Sequence, residues 1–250
     1  MTSRVDRGFV LESFSHPVAI EGYSRAVAEI GLWESEKLFF RRHLPVEGLL
    51  LDLGCGAGRT TFALRGLGYG KIVGLDLTPV LVREAMGHAA RSGVSIPFRV
   101  GDACCLPFPD RTFAGCLFSF NGLMGIPRRA ERVRALAEVR RVLAPGGVFV
   151  FTTHDRDAAV EWRAEWEAER GRWREGRQDP RLHEFGDKVF EDAGREYFIH
   201  IPARKEVLEG LAEAGLEWIE DAWRPALAAE PEAVTRASVD CRFWAARRTA

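Results

Sequence analysis

Leu51-Asp52-Leu53-Gly54-Cys55-Gly56-Ala57-Gly58 decides how the rest of this chain is read. The apolar run 49–53 carries a single acid and breaks into three alternate glycines, and a helical pattern opens near residue 60. A short run of this kind suits a strand buried on both faces. Glycines at a strand-to-helix turn let the backbone bend sharply and approach a ligand with no Cβ in the way. Unpaired N–H groups at the start of the following helix favour a carboxylate or phosphate. The turn therefore calls for a small anionic or zwitterionic ligand.

Spacing narrows the choice. A dinucleotide fingerprint needs G-x-G-x-x-G. Counted from Gly54 its third glycine falls on Arg59, and counted from Gly56 it falls on Thr61. A phosphate loop, G-x-x-x-x-G-K-S/T, is absent as well. Both failures disfavour a nicotinamide oxidoreductase on a similar sheet.

Outward from the turn the pattern alternates. Residues 71–77 read as a second strand. Thr78 and Pro79 then supply a helix cap and first-turn proline, and Gly93 closes that helix. Further strands fall at 95–100, 113–118 and 148–153. An amphipathic helix opens at Pro127 and runs to 143, and Ala144-Pro145-Gly146-Gly147 turns it into the last of these strands. This rhythm predicts an α/β fold, a doubly wound, seven-stranded, mostly parallel sheet with the last strand antiparallel. Residues 1–45 read as two short helices parted by Gly31. Residues 155–195 break the rhythm and read as a cap insertion, with strand candidates at 188–191 and 196–201. A helix from Pro202 to 214 and closing strands at 217–223 and 239–245 complete a single 250-residue domain, with a loop between those two strands.

Two more acids fall at strand ends. Asp76 ends the second strand, where its two oxygens match the vicinal hydroxyls of a ribose. NAD would satisfy it equally. Asp102 repeats the position after the third strand, in Val100-Gly101-Asp102-Ala103.

Asp52-x-Gly54-x-Gly56-x-Gly58, in register with Asp76 and Asp102, resembles motif I and its following strand ends in class I S-adenosylmethionine-dependent methyltransferases. The resemblance runs from about residue 49 to 155, takes in the tail strands, and includes Leu106-Pro107-Phe108-Pro109 and the Ala144–Gly147 turn. It implies S-adenosylmethionine as cofactor. Asp52 would then support the turn, while Gly54, Cys55, Gly56 and Gly58 form the cofactor cradle. Asp76 would take the ribose, Asp102 the adenine amino group, Ala103 a ring nitrogen, and Leu77 the adenine face. Ser119 and Phe120 after the fourth strand, and Tyr23 from the N-terminal helices, complete the implied cofactor set. Asp76→Ala is expected to weaken cofactor binding by roughly tenfold or more, leaving the fold intact.

Methyl transfer is an in-line displacement from a sulfonium, so the protein chiefly positions a nucleophile and excludes water. A general base is needed only for an acceptor that arrives protonated. His154, at the end of the fifth strand, is a base candidate whose other reading is a strand-end histidine held by local bonds. Asn121 either hydrogen-bonds the acceptor or caps a turn. The Asp/Asn-Pro-Pro-Phe/Tyr signature of the family's adenine N-methylating members is missing at 118–124, which lowers the case for nucleobase amines. Trp162, Trp166 and Trp173 share a helical face, as a substrate roof or as the helix's own core contact.

Composition sets the outer bounds. With 35 Lys+Arg against 36 Asp+Glu, the net charge of −1 gives no basic excess for phosphate neutralisation, so a nucleic acid is not the expected partner. No apolar run approaches the roughly 20 residues of a membrane span, and residues 1–10 lack a signal-peptide core. The five cysteines are odd in number and none are paired at zinc spacing, which predicts no metal and a reducing, cytoplasmic setting. Nothing bears on oligomeric state. The reading is methyl transfer to a small molecule; its rivals are a non-catalytic cofactor-binding protein and a methyltransferase of RNA or protein.

Overall fold

The computed structural model describes residues 4–158 and 162–249. Its centre is β1 (Leu50–Leu53), buried along its whole length. It lies parallel between β2 (Ile72–Asp76) and β4 (Phe113–Phe118), with Leu51 opposite Val73 on one side and Cys116 on the other. β3 (Phe98–Val100) lies beyond β2, and β5 (Leu143–Thr153) beyond β4. β8 (Leu216–Trp223) and β9 (Arg242–Arg248) complete the order β3-β2-β1-β4-β5-β9-β8. β9 runs antiparallel to both of its neighbours, so the last strand is the one reversed, as expected.

The chain winds outward from β1 in one direction and returns to β4 on its other side. That switch point leaves a crevice at the carboxyl ends of β1 and β4, where open α/β sheets bind ligands. Each face of the sheet carries its own core. One packs Leu136 and Val139 of α6 (Arg129–Val142) and Leu211 of α8 (Arg204–Glu213) onto Leu51, Leu75 and Phe149. The other packs Phe39 and Phe40 of α3 (Glu34–His43) and Leu64 of α4 (Arg59–Gly66) onto Leu50, Ile72 and Phe243.

Several boundaries differ from expectation for physical reasons. The N-terminal region holds three helices, because Pro17 starts α2 (Pro17–Glu29) afresh after α1 (Arg7–Phe14). β3 begins only at Phe98, after Pro97, which has no N–H for a ladder. The expected loop between β8 and β9 contains two short helices, α9 (Arg224–Leu227) and α10 (Glu232–Ala237). β9 starts at Arg242, because Val239 and Asp240 are drawn into a loop over the sheet's end.

The inserted segment forms α7 (Arg163–Arg174) and an antiparallel hairpin, β6 (Asp187–Asp192) with β7 (Arg195–His200). It forms a sheet of its own and runs on beyond residue 195. A charged knot fastens it. The His200 Nδ1 lies 2.7 Å from Asp187 and its Nε2 2.6 Å from Glu206, while Arg132 and Arg156 pair with Glu206. Glu184, His200 and Glu206 have ligand atoms within 4.8 Å of one another, but the two arginines already supply the positive charge a metal would bring. Gly186 sits inside this knot at φ +109, where a Cβ would lie 2.7 Å from Arg156 Nη1 and 2.9 Å from His200 Cε1. Gly186→Ala is expected to lower stability by about 2 kcal/mol and to speed proteolysis within 163–200. An unchanged denaturation midpoint would show that the hairpin is not coupled to the sheet.

Candidate active site

Gly54, Gly56 and Gly58 all have positive φ. A Cβ on Gly54 would come 2.5 Å from the Phe118 ring, and one on Gly58 2.6 Å from Phe62, so the turn is sterically closed to larger residues. Asp76 binds the turn to β2: its Oδ2 accepts the Gly56 N–H and its Oδ1 the Thr78 N–H, each at 2.8 Å. Each oxygen keeps lone-pair capacity for a further donor. Burial raises its carboxyl above the usual carboxylate value despite both bonds.

Asp102 accepts the Cys104 N–H at 2.8 Å on one oxygen and meets Arg7 Nη1 at 2.7 Å on the other. Burial works to raise this carboxyl, but the Cys104 N–H and Arg7 together hold it below its ordinary value. Leu77 and Ala103 line the same rim.

Asp52 does not line the cleft. Its Oδ2 accepts the hydroxyls of Thr60 at 2.6 Å and Thr61 at 2.5 Å, behind the glycines. Burial pushes its carboxyl up to about 6. The three acids therefore do not converge on one ligand: Asp76 and Asp102 face the cleft, and Asp52 anchors the first turn of α4. Cys55 also turns away, its side chain packed with Val82, Ala85 and Phe98 under α5 (Pro79–Ser92). Gly58 caps α4 below the cleft.

The Tyr23 ring lies against Gly56, where an added Cβ would be 3.3 Å away, and it packs edge-on to Phe14 and Phe120. Burial pushes its phenol up to about 12, so the hydroxyl stays protonated. Ser119 Oγ donates to Glu36 at 2.6 Å and so points behind the cleft wall. Glu36 in turn holds Arg59 through two bonds, of 2.6 and 2.7 Å. The Arg59 guanidinium also lies 5.3 Å from the Trp33 ring centre and 5.6 Å from that of Phe120. Sequence reading missed this pair: nothing in the spacing of residues 36 and 59 marks them as partners.

Phe120 and Asn121 hold positive φ of 51° and 62°, a costly pose outside glycine. The Asn121 N–H is fixed by Thr152 Oγ1 at 2.8 Å. His154 is 8% exposed, and its Nδ1 donates to the Asp240 carbonyl at 2.9 Å. A carbonyl only accepts, so Nε2 carries the lone pair and takes the Asn121 amide N–H at 3.3 Å. That leaves Asn121 Oδ1 buried with no donor. Burial keeps the imidazole's proton affinity below its ordinary value, so it is neutral near pH 7. Sequence reading brought these two residues forward but not Asp240, whose loop also brings Ser238 and Val239 to the cavity wall.

One cavity of about 580 Å³ joins these parts, from Gly54 and Asp76 to Asn121 and His154. The inserted hairpin and α1 roof it. Of the tryptophan stripe, Trp162 lines this cavity, Trp166 is buried against Phe185, Met124 and Ile201, and Trp173 is half-buried.

Residues 50–147 match the family model of the methyltransferase domain. A demethylmenaquinone methyltransferase of Thermus thermophilus is 36% identical over 102 residues, which are 40% of this chain and 44% of that protein. The chain spans about half, or less, of the curated relatives it matches. Among solved structures, a SAM-dependent methyltransferase of Methanosarcina mazei superposes with a TM-score of 0.68 at 22% identity, covering 84% of this chain and 97% of that one. The 1,6-didemethyltoxoflavin N1-methyltransferase of Burkholderia thailandensis, solved with S-adenosylhomocysteine, gives 0.58 at 19% identity over 96% and 85%. At these identities the two structures speak for the fold. Residues 50–147 thus match the methyltransferase-domain model, and the sheet around them shares its fold with solved S-adenosylmethionine-dependent methyltransferases.

Proposed function

We propose that the protein transfers a methyl group from S-adenosylmethionine to a hydroxyl of a small, largely apolar molecule. The observation that carries this reading is the continuity of the cavity between the glycine turn and His154. The residues on its rim fit the cofactor. Asp76, fixed by two N–H groups, offers both oxygens to a ribose, Leu77 and Ala103 offer an apolar slot for a flat base, and the Tyr23 ring stands against the glycine turn where the methionine end would lie. When bound, S-adenosylmethionine supplies an activated methyl on a sulfonium.

The chain's own residues do the rest. The roof over the cavity excludes water and favours a small acceptor over RNA or protein, and Arg195 is the one Lys or Arg lining it among the described residues. The acceptor's hydroxyl displaces the Asn121 amide N–H from His154 Nε2, whose tautomer Asp240 fixes, and gives its proton to that nitrogen as the new methyl bond forms; the released Asn121 side chain offers its Oδ1 to a second donor of the acceptor. Positioning of this kind supplies roughly 7–11 kcal/mol of a barrier. No described helix is long and apolar enough to cross a membrane, and the five cysteines are free, in keeping with a cytoplasmic site of action.

Calorimetry with S-adenosylhomocysteine tests the cofactor; absence of heat at millimolar concentration ends the proposal. A screen of hydroxylated acceptors, read by S-adenosylhomocysteine formation, tests turnover, and tight cofactor binding with no turnover would return the reading to a non-catalytic binder. His154→Gln is expected to lower kcat by roughly 100-fold. Because burial lowers its proton affinity, wild-type activity should stay level through pH 7 and fall only below pH 6.5 as the imidazole protonates. A glutamine variant with the same acid limb would remove His154 from the base role.

A further inference from the structure

The cation that lines the cavity is not used by the reaction as derived. Arg195 opens β7 at the tip of the inserted hairpin. The remaining lining charges are Asp76, Asp102 and Asp192, with His154 neutral. Among the described residues its guanidinium touches the Ser13 carbonyl, 3.1 Å from Nη1, and the rings of Phe14 and Tyr197, at 6.0 and 5.1 Å from the ring centres. Its Nε–H is buried and has no acceptor. Asp192 stands opposite across the two-residue turn, yet no ion pair joins them. An orphaned N–H of this kind costs about 1–3 kcal/mol, and a guanidinium with no carboxylate partner among the described residues takes one through charge-assisted bonds.

The surrounding walls describe the rest of the ligand. Phe14, Phe120, Trp162, Phe190 and Tyr197 present rings to the same cavity. Its volume of about 580 Å³ falls within the roughly 300–1,000 Å³ typical of sites for drug-sized molecules. A flat apolar body fits these rings, and one negative charge fits the one unpaired cation. We propose that Arg195 anchors a carboxylate of the methyl acceptor, making the acceptor an aromatic or similarly flat hydroxy acid. Its carboxylate is held by the hairpin while its hydroxyl turns to His154. The inference rests on the reading of this cavity as the acceptor site, and it makes the hairpin a specificity element.

Two other roles predict different results. Arg195 could serve only as a strut between β7 and α1 through Ser13, or it could hold the cofactor's own carboxylate. The probes are 6-hydroxy-2-naphthoate and its neutral carboxamide, titrated into protein saturated with S-adenosylhomocysteine. The carboxylate is expected to bind the wild type roughly tenfold or more tighter than the amide. Arg195→Gln is expected to equalise the two and to leave S-adenosylhomocysteine affinity unchanged, while Arg195→Lys keeps part of the preference. Equal binding of both probes to the wild type, failure of both to bind at millimolar concentration, or a preference that survives in Arg195→Gln would overturn the assignment. Weaker S-adenosylhomocysteine binding in Arg195→Gln would overturn it in favour of the cofactor's carboxylate. Failure of the wild type to bind S-adenosylhomocysteine would sink the methyltransferase reading itself, a result the two acceptor probes cannot mimic.

Discussion

Glu36→Gln is expected to lower the unfolding free energy by about 3–5 kcal/mol, since a buried ion pair stripped of one partner leaves the other charge uncompensated. Glu36 is fully buried and accepts four hydrogen bonds, from Arg59 twice, from the Trp33 N–H and from the Ser119 hydroxyl. A neutral amide cannot balance Arg59, which is 9% exposed and packed between Trp33 and Phe120. For a chain of this size the loss corresponds to a Tm drop on the order of 10 °C. The pair also joins α3, the start of α4 and the loop after β4, so S-adenosylhomocysteine affinity should fall with stability. The double variant Glu36→Leu/Arg59→Met should recover much of the stability, because apolar replacements remove both desolvated charges. A single-variant loss below about 1 kcal/mol would mean the pair behaves like a solvated surface bridge.

Asp76→Asn is expected to weaken S-adenosylhomocysteine binding by roughly 100-fold, as charged acceptors for ribose hydroxyls are lost and an N–H is turned toward a donor. The cost to the fold should be smaller, about 1–3 kcal/mol, since the amide still accepts one of the two N–H groups now held by the carboxylate. Asp76→Ala is a different experiment. It strips acceptors from both the Gly56 and Thr78 N–H groups, so it should cost about 2–6 kcal/mol and disturb the glycine turn. The expectation of an intact fold in that variant is thereby corrected. Calorimetry beside a denaturation curve separates the two effects. Wild-type affinity in the asparagine variant would mean that Asp76 does not face the ribose.

The sheet was legible because its strands are punctuated by residues whose backbone needs are narrow. The alternate glycines after β1, Thr78-Pro79 and Gly93 around α5, and Pro145-Gly146-Gly147, which forms a bulged stretch inside β5 rather than the expected turn before it, each admit few conformations. Strand-end acids were legible as positions, yet their directions were not. Asp52 lies opposite Gly74, two residues short of Asp76 on the adjacent strand, and there the threonines at 60 and 61 hold it behind the turn. The hairpin's reach past residue 195, the Glu36–Arg59 pair and the Asp240–His154 bond depend on contacts between residues far apart in sequence, which no local period encodes. Arg195 was invisible for a related reason: an arginine is noticed by its setting, and the setting is a cavity roofed by α1.

Insertion of β9 between β5 and β8 has a consequence for synthesis on the ribosome. β8 leaves the exit port with no strand to join, and it waits for residues 242–248 to be translated. At roughly 5–20 residues per second, the 25 residues from 223 to 248 take about 1–5 s. Through that interval the nascent chain shows two unzipped edges, and Glu217, Glu220 and Asp221 place negative charge along the waiting one, a known guard against edge-to-edge aggregation. Neutralising Glu217, whose only partner among the described residues is the exposed Arg247, should therefore lower the soluble yield in cells more than it lowers the melting temperature of whatever protein is recovered.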